Sequence, residues 1–232
     1  MNNNNREQLL KHLLSFVSEN KNELFEKIIA ERTKYVTVVL EDIFQPQNAS
    51  AVLRSCDVFG IQDIHVIENR NKYNVNPHVV HGASKWITLH KYKKEKDNTL
   101  TCINTLKEQG YKVYGTTPHT NDCFIQDIPM NNKFALMFGT EQEGLSKVAM
   151  DKVDGFVKIP MYGFTESLNI SVSAAICLYE ISKRLKIADI NWQLTPEEKT
   201  EQLIIWAKKV IKSGTLIEKE FLEKKLSNYT GS

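Results

Sequence analysis

"YVTVVLEDIFQPQNASAVLRSCDVFGIQDIHVIE", residues 35–68, holds a complete strand–helix–strand unit. Its first seven residues are apolar and β-branched without polar alternation, the pattern of a strand buried on both faces. A polar loop follows, then a helix over 49–59 with Asn48 placed to cap it. Gly60 stands where a left-handed residue ends a helix, and "IQDIHVIE" (61–68) supplies the next strand. One residue is out of keeping. Arg54 stands in the second turn of a helix that must lie largely buried beside the strands.

The same alternation extends outward from this unit. Strands are predicted over 85–92, 111–117, 133–139 and 155–160, and helices over 98–110, near 145–151 and over 170–187. Such a series implies an α/β fold, a mostly parallel sheet with helices on both faces. Ahead of it, leucines at helical spacing in residues 6–32 predict one or two amphipathic helices. Behind it, Thr195, Pro196 and Glu198 form a capping-box signature for a helix running to about Ser213, with a last helix over 216–226. The chain therefore divides at the sequence level into a helical extension (1–33), an α/β domain (34–188) and a second helical extension (189–232).

Bulk composition narrows the function. With 41% hydrophobic and 25% charged residues the chain reads as an ordinary globular protein. No apolar run approaches the ~20 residues of a membrane span. The four cysteines, Cys56, Cys102, Cys123 and Cys177, are far apart and form no CxxC pair, so reduced thiols and a cytoplasmic location are expected. A net charge of only +2 means that any nucleic-acid binding comes from local patches.

Open α/β sheets bind ligands at the carboxyl ends of their strands, and the loops there are informative. No GxGxxG occurs, which argues against a nicotinamide dehydrogenase. "GTEQEGLS" (139–146) has phosphate-loop glycine spacing, but Leu145 replaces the lysine and two glutamates would repel a triphosphate. Glu141 and Glu143 suit a ligand with positive charge or many donors, such as S-adenosylmethionine; they equally suit a solvated turn. "PMYGFTESLN" (160–169) has no apolar periodicity, and the helix after it opens on small residues, Ser171, Ser173, Ala174 and Ala175. The stripe Ile170, Ala174, Cys177, Ile181 and Leu185 is the expected buried face of that helix.

Three segments together, "NASAVLRSCDVFGI", "ALMFGTEQEGLS" and "IPMYGFTESLNISVSAAICLYE", resemble the three motifs of the SpoU/TrmH family of SPOUT RNA methyltransferases. The resemblance spans roughly residues 35 to 187 in family order. It implies transfer of a methyl group from S-adenosylmethionine to a ribose 2′-hydroxyl, a deep C-terminal trefoil knot and a homodimer. The short helical extensions most resemble the members that modify guanosine 18 in the tRNA D-loop, making tRNA the expected partner. Methylation of ribosomal RNA is the alternative within the class, and a non-catalytic RNA-binding or assembly protein is the alternative outside it.

Carried over by motif position, the resemblance makes Arg54 the catalytic arginine, with Asn48 and Asn169 orienting it and Glu143 and Ser167 completing the set. It places the cofactor against Thr116, Gly139, Ile159, Met161, Ser167 and Leu168. Without the resemblance, Arg54 would read as an exposed partner of Asp57. A guanidinium keeps its proton at neutral pH, so Arg54 is expected to grip a phosphate and stabilise a developing alkoxide rather than act as a base. Candidate RNA contacts are Arg6, Lys11, Lys85, Lys183, Arg184 and Lys186. No metal is expected; His78 and His81 form a pair without further ligands and read as structural.

Overall fold

The computed structural model describes residues 3–80, 82–119 and 123–230, so His81 lies outside the described residues. In chain order the elements begin with helices α1 (Asn3–Leu14) and α2 (Glu19–Ile29), followed by strand β1 (Val36–Glu41). Next come α3 (Pro46–Val58), β2 (Asp63–Ile67), the single turn α4 (Pro77–Val80), β3 (Thr88–Tyr92) and α5 (Asn98–Glu108). Then follow β4 (Lys112–Thr116), β5 (Cys123–Phe124), β6 (Phe134–Phe138), α6 (Lys147–Lys152) and β7 (Gly155–Lys158). Helices α7 (Ile170–Ile187), α8 (Pro196–Val210) and α9 (Gly214–Thr230) close the described chain. The chain forms two compact units, one from Thr33 to Trp192 and one built jointly from the segments before and after it.

The first unit is a seven-stranded sheet of order β3-β2-β1-β6-β4-β7-β5. Every pairing in it is parallel. β1 lies at its turning point: the chain builds outward through β2 and β3, then crosses to the other side. Alternate residues of β1 serve two cores. Val36, Val38 and Leu40 pack with Val52, Leu53 and Cys56 of α3 and with Ala174, Leu178 and Ile181 of α7. Val39 packs with Cys102, Ile103 and Leu106 of α5 and Ala149 of α6. Each such aliphatic side chain, fully buried, contributes ~1.5–3 kcal/mol. This is the reason the strand carries no polar alternation.

Gly60, with φ of 77°, ends α3 as its position in the sequence suggested. The Ile61 amide then reaches back to the Cys56 carbonyl at 2.9 Å, the double-turn ending that a left-handed residue permits. The start of α3 differs from expectation. The helix opens at Pro46 with Gln45 as its flanking residue, because proline's fixed φ suits a first helical position. Asn48 therefore lies inside the first turn and caps nothing. The segment 85–92 also divides: Ala83–Lys85 forms a 3-10 turn and only Thr88–Tyr92 is extended. β5, two residues long, is too short to leave a pattern in the sequence.

In the second unit Leu9, Leu13, Ile204 and Ala207 make a core of their own. Trp206 is fully buried, with the Arg32 guanidinium 5.5 Å over its ring. The capping box of Thr195 and Glu198 is formed at the start of α8. The terminal segments, read separately in the sequence, are thus one packed body. Among the described residues no helix is long and apolar enough to cross a membrane.

Near the sheet edge His65 is buried on β2, stacked on His90 at 4.6 Å and 3.0 Å from the Tyr92 hydroxyl. Burial, reinforced by the His90 charge and opposed by Asp63, lowers its pKa to about 4. The unfolded chain therefore binds a proton that the native chain refuses, between about pH 6.5 and pH 4. Folding stability should be full above that window and fall by up to ~1.4 kcal/mol per pH unit through it. Urea denaturation at pH 7, 6 and 5 should show this slope, and His65→Phe should flatten it.

Candidate active site

β1 ends on Glu41 and Asp42 follows it, and each of these two acids fastens a different loop. Glu41 is buried and accepts three hydrogen bonds. They come from the Thr99 hydroxyl at 2.6 Å, the Ser146 hydroxyl at 2.6 Å and the Ser146 amide at 2.9 Å. Asp42 is also buried and holds a left-handed φ of 51°, a conformation aspartate tolerates better than most side chains. Its Oδ1 accepts the amides of Asn69 at 2.7 Å, Arg70 at 2.8 Å and Asn71 at 3.3 Å. The loops after β2 and β6 are thereby tied to the end of the central strand.

The loop after β6 is a tight turn in which Thr140 and Gly144 exchange backbone hydrogen bonds at 2.8 and 3.1 Å. Gly139 must be a glycine there, because a Cβ would come within 2.1 Å of the Gly144 backbone. This turn projects Glu141 toward α3. The Asn48 amide donates to Glu141 Oε1 at 2.8 Å and to Gln45 Oε1 at 3.2 Å. Asn169 donates to Asn48 Oδ1 at 3.1 Å. With its own Oδ1, Asn169 caps α7 by accepting the Ser171 amide at 2.8 Å. Asn48, Glu141 and Asn169 thus join the three segments singled out in the sequence.

Beside this junction lies a cavity of about 540 Å³, a size suited to a small-molecule ligand. All six residues expected at a cofactor, Thr116, Gly139, Ile159, Met161, Ser167 and Leu168, line it, together with Glu141, Glu143 and Asn169. Phe138, Leu145 and Val157 add apolar wall. Cys177 lines it too, as a neutral thiol, since burial pushes its pKa up to about 12. An apolar wall faced by carboxylates and loop backbone suits an adenosine carrying a positive charge.

The other expected residues are placed differently. Arg54 is exposed on α3, and its side chain makes no hydrogen bond or ion pair among the described residues. Asn48 and Asn169, expected to orient it, bind each other and Glu141 instead, because Asn48 lies at the buried start of the helix. Glu143 stands away from that junction and pairs with Arg70 at 2.7 Å, both side chains 68% exposed; such a pair is worth ~0–1 kcal/mol. Glu141 is the acid the sequence reading passed over in favour of Glu143, since adjacent loop glutamates look alike without a fold.

Among the expected RNA contacts, Lys11, Lys85, Lys183 and Lys186 are exposed. Arg6 is paired with Glu201 at 2.9 Å. Arg184 serves the fold: its guanidinium donates to the carbonyls of Ile125 at 3.1 Å and Ile128 at 2.6 Å. Its planar fork reaches two carbonyls at once, and this takes it from the set of surface cations. Among the described residues no three His, Cys, Asp or Glu side chains gather as a metal site.

The parallel sheet thus brings three motif loops together on one cavity at its carboxyl edge. The sequence profile of the SpoU rRNA Methylase family matches residues 35–179, and the chain belongs to that family. A tRNA (guanosine(18)-2′-O)-methyltransferase of Borreliella burgdorferi is 42% identical over 206 residues, 89% of this chain and 93% of that protein. The Thermus thermophilus protein of the same name is 31% identical over 194 residues, 83% of this chain and 98% of its own. The crystal structure of the A. aeolicus TrmH/SpoU tRNA modifying enzyme superposes with a TM-score of 0.73 at 26% identity, covering 84% of this chain and 98% of that one.

Asp42 offers a direct test of the loop fastening. Asp42→Asn keeps an acceptor and tolerates the left-handed backbone, so it should cost less than ~1 kcal/mol. Asp42→Ala adds backbone strain to three lost hydrogen bonds and should cost at least ~2 kcal/mol. Urea denaturation of the two variants at pH 7 measures the difference.

Proposed function

We propose that this chain transfers a methyl group from S-adenosylmethionine to the ribose 2′-hydroxyl of guanosine 18 in the tRNA D-loop. The observation that carries this reading is the meeting of three motif loops at Asn48, Glu141 and Asn169 on the rim of the 540 Å³ cavity. Similarity along nearly the whole length of relatives bearing that activity in their names supports the substrate. When bound, S-adenosylmethionine supplies a methyl group made electrophilic by its sulfonium.

The chain's residues supply position and charge. Ile159, Met161 and Leu168 would cover an adenine, and the backbone around Thr116 and Gly139 would offer hydrogen bonds to its edge. The side of the cavity bearing Glu141 and Glu143 favours the positive end of the ligand. Arg54, exposed and without a partner among the described residues, grips the phosphate next to the target ribose in a bidentate manner. Its charge then stabilises the 2′-oxygen as the proton leaves for a phosphate oxygen or water. Ser167 lines the cavity from the third-motif loop.

In this reading the segment 160–169 is threaded as a deep trefoil knot, and the protein works as a homodimer in the cytoplasm. The dimer is supported by an apolar face left exposed on α3 and α7, formed by Val58, Val172, Ile176 and Tyr179. Tyr162 and Phe164, on the loop before α7, are exposed aromatic residues as well. Arg54 stands on α3 with that face. tRNA would be held by Lys11, Lys85, Lys183 and Lys186, with affinity falling steeply as salt rises.

Transfer of labelled methyl to unmodified total tRNA, with the modified nucleotide mapped, tests the whole reading. Label on the ribose of guanosine 18 is expected; label on ribosomal RNA alone would keep the chemistry and discard the substrate. Arg54→Ala should lower the transfer rate by roughly 10²–10³ without weakening S-adenosylhomocysteine binding. Arg54→Lys should recover little of it, because an ammonium lacks the bidentate fork.

A further inference from the structure

The turn after β6 walls the cavity described above and also a second cavity of about 370 Å³ whose lining includes Phe44, Gln45, Arg70 and Asn71. Residues Thr140 to Leu145 line both. The Asn48 amide bonds Gln45, which lines the second cavity, and Glu141, which lines both.

The second cavity is built from groups of three chemistries. Phe44 presents its ring to solvent, 71% exposed, although it follows a strand whose apolar residues are otherwise buried. The cause is Asp42: its left-handed backbone turns the chain, and its carboxylate pins the amides of residues 69–71 beside it. That same pinning sets Arg70 at the mouth, where its guanidinium meets Glu143. A flat apolar ring, a carboxylate and a guanidinium are thus held together by a strained, buried aspartate. Strain of this kind persists where the surroundings fix it, and it concentrates at working sites.

A guanosine nucleotide answers all three. Unstacked bases stack on exposed aromatic rings. Guanine alone among the four common bases presents a ring N–H and an exocyclic amine side by side, two donors that a carboxylate accepts together. Arginine matches phosphate bidentately. The Arg70–Glu143 pair is solvent-exposed, so its two members are readily exchanged for these partners.

We propose that the second cavity receives the nucleotide to be methylated, with Phe44 stacking on its base, Glu143 accepting from the guanine donors and Arg70 holding its phosphate. The assignment rests on the methyltransferase reading above. It gives Glu143 a role in choosing the base, distinct from that of Glu141 in holding Asn48.

The test uses the full-length protein and transcripts of its substrate RNA carrying guanosine or inosine at the modified position, inosine lacking the exocyclic amine. The wild type should prefer guanosine by roughly tenfold in kcat/KM. Glu143→Gln should bring that ratio close to one. Phe44→Ala should raise KM about tenfold, with Phe44→Tyr restoring it and S-adenosylhomocysteine affinity unchanged in both Phe44 variants. An unchanged guanosine-to-inosine ratio in Glu143→Gln, with transfer intact, overturns the pocket and leaves the methyltransferase reading standing. Methylation of a nucleotide other than guanosine also overturns the pocket. Absence of transfer to any RNA by the wild type overturns both.

Discussion

The carboxyl end of β1 carries two buried carboxylates in succession, and the site hangs from them. Taking a carboxylate out of water costs several kcal/mol unless hydrogen bonds replace the lost hydration. Glu41 meets that demand with Thr99 on α5 and with Ser146 at the start of α6. Asp42 meets it with three amides of the loop after β2. Glu41 is the last residue of the strand, and Asp42 follows it in a left-handed conformation that turns the chain, so two neighbouring acids reach different loops. One short stretch of chain thereby fixes the geometry of both cavities.

The requirement runs in both directions. The loops need the acids because irregular backbone leaves amide groups without partners, and buried amides without partners are costly. The acids need the loops because nothing else at the end of a central parallel strand could satisfy them. Removing either side leaves the other exposed to the full cost, and this mutual dependence makes the arrangement rigid. Rigidity matters here since the proposed chemistry asks the protein for position and charge rather than for a reactive side chain.

Arg54 and Asn48 illustrate how one helix can divide its labour. Asn48, six residues earlier, is buried and spends every polar atom on Gln45, Glu141 and Asn169. Arg54 stands on the exposed side, where a substrate phosphate can reach it. Among the described residues it makes no ion pair, so in the proposed reaction it would meet a phosphate without first breaking such a contact. Arg184 shows the opposite choice, its guanidinium committed to two backbone carbonyls.

Much of this was legible in the sequence. The β-branched run of β1, Gly60 at the end of α3, the capping box at Thr195 and the buried stripe of α7 are local signals, set by backbone sterics and by periodic burial. The residues expected at the cofactor were legible only as motif positions, yet they line one cavity because the strands that carry their loops are parallel and adjacent. What the sequence left undecided depends on distance in space. It could not separate Glu141 from Glu143, since two acids two residues apart differ only in which way a tight turn aims them. Nor could it show that Asn48 turns inward once Pro46 begins the helix, that Arg184 is consumed by Ile125 and Ile128, or that the terminal segments share one core. Local sterics and hydrophobic period wrote the elements into the sequence; the pairing of polar groups far apart in the chain was decided only when the sheet brought them within hydrogen-bonding reach.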